Sequence, residues 1–568
     1  MKAELSVYLG LWLVANLGLA TPALTSSAPI VDLPYARYQG IRNTNLRIDG
    51  FYGLPYAAPP TGTLCWRAPV SIEKAGILAT DLAPKKTVLN ATSPGTICMQ
   101  GKPIWLEQLD DLASADGMGD SGVGMVQSED CLHLDVIVPS EPVSSSLPVI
   151  VMIHGGGYAT GSSLDVDGSQ FVSAAQGHVN WVQIQYRLGV YGFLESKILL
   201  NDGVVNVGLL DQRAALEWVQ RNIVAFGGDP TRVTIWGVSA GGGSVTSQMM
   251  LYGGGKLPFR AAIAENPWWQ PLHGNEVLKA QFKQVLKASG CTNLACLRCL
   301  PAGKLANASA LVYALGWADG TYGFGDYYFG PCVDGEIIQD LPSLEFAKGR
   351  FTKVPLLVDH NAKEGWSFTN FSIASPSEVK ADLQQLWPDA GPSFFNRLLN
   401  THYPWANFTG SFWDDPFYSS AANTVPSPIN NSAFYQRAET FGDAVINCPT
   451  HFLSNTVSDA RLPVYKMRFA AGLQIHGATS SFLLFANEAN SNATLAAVMK
   501  AYLLSFALEL DPNVQRAPSS PFWPLYANSN AGELNAVQVD NEAINTIRDK
   551  DASSECDFLH RQPYSVRN

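Results

Sequence analysis

The feature that most constrains this chain is a serine set between glycines where two patterns meet. Residues 233–236 are β-branched and aromatic and read as a short buried strand. Residues 244–251 read as a helix, and Gly237-Val238-Ser239-Ala240-Gly241 joins the two. A strand that passes into a helix through so few residues must turn sharply, and the turn lifts the Ser239 hydroxyl above the carboxyl end of the sheet. Strand and helix backbones then approach closely, so Gly237 and Gly241 stand where a side chain would collide. The helix N-terminus brings backbone N–H groups to the same place. A glycine-rich turn with an ordinary serine has the same letters, but the strand before it and the helix after it favour a nucleophile.

The rest of the chain predicts the sheet that carries this turn. Residues 148–153, 179–185, 261–264, 354–358 and 462–467 read as further strands, and 211–226 reads as a helix with Leu216, Val219 and Ile223 on one face and Gly227-Gly228 as its stop. Strands alternating with helices argue for a large, mostly parallel sheet covered on both faces, with ligands at the carboxyl ends of the strands. His154-Gly155-Gly156-Gly157-Tyr158 follows the 148–153 strand at such a place. Three glycines let backbone N–H groups converge on a developing oxyanion, and no Lys or Ser/Thr follows in the pattern of a phosphate loop. Gly156, Gly157 and the Ala240 N–H are the expected donors.

A serine nucleophile needs a base and a group to orient it, in the chain order serine, acid, histidine. His402, His451, His476 and His560 lie late enough in the chain. Only His476 lies shortly after a strand, so it is the expected base. Glu364 follows the 354–358 strand and is the expected acid, with Asp359 on the same stretch as the alternative.

Composition bounds the rest. The 568 residues carry a formal charge of −12, only 15% are charged, and 46% are hydrophobic. That balance excludes a general nucleic-acid binder, which needs a basic face, and a disordered chain. Length alone would suggest several domains. Lys2, the apolar stretch 5–19 and the small residues at 18, 20 and 23 form a secretory signal with cleavage after Ala20 or Ala23. Six N-x-[ST] acceptors, at Asn90, Asn307, Asn370, Asn407, Asn430 and Asn492, agree with export. Nine cysteines in an exported chain read as disulfides with one left over. Cys296-Leu297-Arg298-Cys299 also fits half of a zinc site, but no second pair lies near, and neither a metal nor a cofactor is expected.

Together these residues resemble the type-B carboxylesterase and lipase family of the α/β-hydrolase fold, and its secreted fungal members in particular. Phe226-Gly227-Gly228-Asp229-Pro230 leads through Gly237 to Ser239-Ala240-Gly241. Glu129-Asp130-Cys131-Leu132 leads to Leu134-Asp135-Val136, and Tyr186-Arg187-Leu188-Gly189, Gly208-Leu209-Leu210-Asp211-Gln212 and Val333-Asp334-Gly335 also match. The resemblance spans about 35–556. It implies one α/β-hydrolase domain, 24–568, with long loop insertions, and it favours Glu364 over Asp359. It implies the disulfides Cys98–Cys131 and Cys291–Cys296; we further expect Cys299–Cys332 and Cys448–Cys556, which leaves Cys65 free. The loop closed by Cys98 and Cys131 carries Trp105, Leu106, Leu109 and Leu112 and reads either as a lid or as a fixed rim helix.

Three departures stand out. Val238 replaces a glutamate common beside the serine, which weakens the case for a cationic ester. Cys65 replaces an arginine that pairs with Glu129, leaving Arg67 or another donor to serve. Lys363 replaces a common acid. Trp268 and Trp269 line the acyl pocket or fill the core, and Trp105 joins them as a pocket candidate. The expected protein is a secreted serine hydrolase of neutral apolar esters, small-molecule or lipid, with transient contact at a lipid interface if the loop is a lid. The competing reading is a cholinesterase-like adhesion or binding protein without activity. The intact Ser239, Glu364 and His476 argue against it.

Overall fold

The computed structural model describes residues 28–75, 87–106, 125–255, 258–408, 432–472, 474–484, 492–518, 520–528 and 533–568. The signal sequence, Leu109 and Leu112 of the lid segment, and Asn430 lie outside them. Twelve described strands form one mixed sheet: β1 (Ile41–Asn43), β2 (Ile48–Pro55), β3 (His133–Pro139), β4 (Leu147–Ile153), β5 (Asn180–Ile184), β6 (Gly228–Val238), β7 (Ala261–Glu265), β8 (Leu356–Asn361), β9 (Val464–Phe469), β10 (Ala527–Asn528), β11 (Glu533–Val539) and β12 (Ile544–Arg548). Their order is β1-β2-β3-β5-β4-β6-β7-β8-β9-β11-β10, with β12 paired to β11. The run from β5 to β11 is parallel, and both flanks are antiparallel. The sheet is the large, mostly parallel one that the alternating pattern predicts.

Burial explains why the central strands read as continuous apolar runs. All seven residues of β4 are buried. Val149, Val151 and Ile153 belong to one hydrophobic core, and Ile150 and Met152 to another on the opposite face. Side chains alternate across a strand, so both faces need apolar residues when both are covered. The covering helices include α1 (Ser169–Ala174), α2 (Val207–Asn222), α3 (Ala240–Met250), α4 (Ser432–Gly442), α5 (Cys448–Asp459), α6 (Ala478–Leu484), α7 (Ala493–Glu509) and α8 (Ser554–His560). Leu209 and Leu216 of α2 and Val245 of α3 pack into the first core; Phe171 of α1 and Met499, Leu503 and Phe506 of α7 pack into the second.

Three disulfides are formed: Cys98–Cys131, Cys291–Cys296 and Cys448–Cys556. The expected Cys299–Cys332 bond is absent. Cys299 ends a short helix at the surface, whereas the Cys332 thiol is buried and bonded to the Glu195 carboxyl. Three thiols, Cys65, Cys299 and Cys332, are therefore free. Among the acceptor asparagines, Asn90, Asn307, Asn407 and Asn492 are exposed and Asn370 is half-buried. Among the described residues, no helix is long and apolar enough to cross a membrane.

Candidate active site

Ser239 sits between β6 and α3 with φ 58° and ψ −123°, a conformation that costs an L-residue about 1–3 kcal/mol unless its surroundings enforce it. Three backbone bonds do so. The Ser239 N–H donates to the Glu265 carbonyl at 3.0 Å, and the Ser239 carbonyl accepts from Gly243 at 2.9 Å and Trp268 at 3.1 Å. The flanking glycines are sterically required. A Cβ on Gly237 would stand 2.1 Å from the Gly241 carbonyl oxygen, and one on Gly241 would stand 2.0 Å from that of Ile153.

The histidine and the acid arrive on neighbouring loops. Glu364 begins a single helical turn, Glu364–Phe368, just beyond β8, and His476 follows β9. The Lys363 N–H donates to the Gln474 carbonyl at 2.8 Å and ties the two loops together. His476 Nε2 lies 2.7 Å from Ser239 Oγ, and His476 Nδ1 lies 2.5 Å from Glu364 Oε2. A buried carboxylate on Nδ1 holds the proton there, which leaves Nε2 to accept from the serine hydroxyl. The second Glu364 oxygen accepts the Asn361 N–H at 2.5 Å and the Asn361 side-chain amide at 3.0 Å. The Asn361 side-chain oxygen accepts from the Thr479 N–H and hydroxyl at 3.1 and 2.9 Å. Asn361 and Thr479 thus lock the acid to the segment that bears the base. Neither is apparent from spacing, because asparagine and threonine are common at strand and helix ends.

The loop after β4 meets the same point. A Cβ on Gly155 would stand 3.0 Å from Ser239 Cβ, and Gly156 and Gly157 take φ of 98° and 62°. Ala240 opens α3, where N–H groups have no acceptor within the helix.

One side of the site is a wall of rings. Phe368 and Trp268 lie 4.9 and 5.7 Å, centre to centre, from the His476 ring. Trp268 also packs on Phe368, Tyr327 and Phe441 at 4.5, 5.7 and 5.8 Å. Trp105 meets Tyr327 edge-on at 5.2 Å and donates its indole N–H to the Asp326 carbonyl. Tyr327 lies so close to the glycine loop that a Cβ on Gly157 would stand 2.1 Å from its ring. Trp269 faces away, bonded to Thr246 and packed on Phe346. Phe368, Tyr327 and Phe441 escaped the sequence reading. Phe368, four residues beyond Glu364 and one helical turn from it, carried the only usable signal.

The remaining candidates have other work. Asp359 lies inside β8 and accepts the Asn266 N–H at 3.0 Å, rather than meeting His476. His402 stacks on Phe558, His451 pairs with Asp549 at 2.7 Å, and His560 packs on Phe452. Arg67 does not stand in for the missing arginine: it pairs with Asp202, and Glu129 instead accepts from the Cys65 thiol at 3.6 Å. Burial pushes that thiol up to about 12. Arg187 and Asp211, from two matched motifs, form a buried bidentate pair at 2.7 Å.

A sheet of this order with a serine turn beyond β6 defines an α/β-hydrolase, and comparison with known proteins narrows the class. The carboxylesterase family matches residues 27–559, so the chain belongs to the carboxylesterase family and is a carboxylic ester hydrolase. It is 29% identical to the carboxylesterase patB of Penicillium expansum over 92% of this chain and 95% of that protein. It is 32% identical to secreted lipase 1 of Botryotinia fuckeliana over 90% and 88%. The structure resembles that of Aspergillus niger EstA, with a TM-score of 0.79 and 27% identity over 95% of this chain and 99% of that one.

Proposed function

We propose that this chain is a secreted serine hydrolase that cleaves neutral, apolar carboxylic esters through an acyl-enzyme. The observation that carries the reading is the continuous hydrogen-bond relay from Ser239 through His476 to Glu364, at 2.7 and 2.5 Å. Ser239 Oγ attacks the ester carbonyl carbon as its proton passes to His476 Nε2. The oxyanion takes N–H bonds from Gly156, Gly157 and Ala240. The bond to the alcohol oxygen breaks, and the imidazolium returns its proton to that oxygen. Water then repeats the sequence and frees the acid. Glu364 fixes the imidazole tautomer and stabilises its charged form.

The ring wall beside His476 makes the site apolar and favours apolar acyl groups over charged ones. Export is supported by the signal pattern before residue 24, the exposed acceptor asparagines and the secreted lipases among the relatives. The mature chain, 24–568, acts as one catalytic domain without a cofactor.

Ser239→Ala should lower the hydrolysis of a chromogenic short-chain ester by at least about 10⁴-fold. It should also abolish stoichiometric labelling by an organophosphate. Full activity in the alanine variant would overturn the reading, because another group would then be the nucleophile.

A further inference from the structure

Behind Glu364 lies a second pair of carboxyls that the reaction above does not use. Glu265 and Asp359 are register partners at the carboxyl ends of the adjacent parallel strands β7 and β8. They are 1% and 2% exposed. Glu265 is also the residue whose carbonyl holds the Ser239 N–H. Its carboxyl oxygens accept from the Trp236 indole at 3.0 Å and from the Ser480 hydroxyl at 2.6 Å, and Ser480 lies four residues beyond His476. Asp359 accepts the Asn266 N–H, and Asn266 is bridged to Glu364 by Asn361, whose amide donates to Asn266 Oδ1 at 2.7 Å and to Glu364 Oε1 at 3.0 Å. Three buried carboxyls therefore lie together behind the relay: Asp359 and Glu364 are linked through Asn266 and Asn361, and Glu265 stands beside Asp359 in register.

The surroundings supply little compensation. Facing the pair are Trp236 of β6, Met467 of β9, Thr479 and Ser480 of α6, Asn266, and Glu364 with His476 beyond it. Lys466 and His360, on β9 and β8, point to the opposite face and pair with Asp549 and Asp551, while Lys363 faces Glu439. Among the described residues, no cationic side chain pairs with or hydrogen-bonds to either carboxyl; Glu364, the partner of His476, is their charged neighbour. Like charges this close in a buried site cannot all ionise at neutral pH. Two neutral donors favour the charged form of Glu265, while Asp359 has one, so the proton belongs on Asp359. Burial and the neighbouring Glu265 hold Asp359 well above the usual carboxylate range, and burial lifts Glu265 to about 7.

We propose that Glu265 and Asp359 are positioning residues for the His476–Glu364 pair: Asp359 stays a carboxylic acid, Glu265 exchanges its proton, and the charge on Glu265 sets how readily His476 becomes an imidazolium. The proposal rests on reading Ser239, His476 and Glu364 as the catalytic triad. Ionised Glu265 stabilises the imidazolium, so removing its charge makes His476 a weaker base.

The test is the acid limb of the kcat/KM–pH profile on a chromogenic short-chain ester, with thermal unfolding as the fold control. Glu265→Gln should move the midpoint of that limb to lower pH by about half a unit or more, by the Coulomb term of one charge across a protein interior. Ser480→Ala removes a donor from the charged form of Glu265 and should move the limb the same way by less. Asp359→Asn keeps the shape of the protonated acid and should leave the midpoint in place. It should also weaken, without abolishing, the infrared band of protonated carboxyls at neutral pH, to which Glu265 and the buried Glu195 contribute as well. A merely structural role would lower the plateau and leave the midpoint alone. An unmoved midpoint in both Glu265→Gln and Ser480→Ala overturns the proposal, as does an Asp359→Asn shift equal to that of Glu265→Gln. If Ser239→Ala is inactive while these midpoints stay fixed, this proposal alone fails; if Ser239→Ala is active, both readings fail.

Discussion

Lys466 has no exposed side-chain surface, and its ammonium contacts Asp549 at 2.9 and 3.0 Å and Asp551 at 2.6 Å. His451 and Tyr526 add bonds to Asp549. A buried cation is tolerated only when it is fully paired, and loss of one partner strands the other charge. Lys466→Met should therefore cost about 3–5 kcal/mol at neutral pH, read from denaturant unfolding. The pH dependence has a definite sign. Lys466 and the neighbouring histidines hold Asp549 below its ordinary value and Asp551 at about 2, against 3.8 when unperturbed. A depressed carboxyl stabilises the folded state above its unfolded pKa, and that contribution disappears as pH falls through the folded value. Stability should decline as pH drops from about 4 towards 2, and Lys466→Met should flatten that decline. A parallel decline in parent and variant would remove the cluster as its cause.

Elements show how much of the molecule the letters already contained. The strands at the centre of the sheet were legible, because burial on both faces turns them into short unbroken apolar runs; β4 and β5 were placed to within a residue at each end. The first four residues of α2, 207–210, were not, because Gly208 weakens the helical pattern there. β11 and β12 were missed because β12, at the edge, has no buried residue and β11 begins with exposed and half-buried ones, so neither shows an unbroken apolar run. The site divided in the same way. Ser239 and His476 were legible from order and strand context, and the resemblance favoured Glu364 over Asp359; the structure brings these three side chains together. Asp359 was misplaced by a strand that runs three residues past its predicted end. The ring wall stayed hidden because its members come from segments far apart in the chain and meet only in three dimensions. Trp268→Ala should open that wall and raise the ratio of long-chain to short-chain kcat/KM by about tenfold or more. Trp269→Ala, which alters packing away from His476, should destabilise the fold without changing the ratio. Equal profiles for the two variants would refute the wall as the determinant of acyl size.

At the scale of the whole molecule, Cys448–Cys556 joins α5 to α8 across 108 residues of sequence. In the chain-entropy picture a loop of that length is worth about 4–5 kcal/mol. The double variant Cys448→Ala, Cys556→Ala should lose several kcal/mol, measured by unfolding. Thiol titration of the unfolded, unreduced chain should find three free thiols rather than one. The sheet order carries a further consequence, in the time domain. The groups assigned to the oxyanion, the nucleophile, the acid and the base hang from β4, β6, β8 and β9, which pair in parallel around β7. Each pairing closes a long crossover, and such non-local contacts form slowly. Helices can appear in an unfinished molecule, but the relay from Ser239 to Glu364 cannot. After dilution from denaturant, esterase activity should return well behind the helical signal. The hydrolysis rate then becomes a clock for the last step of folding, the closing of the central strands.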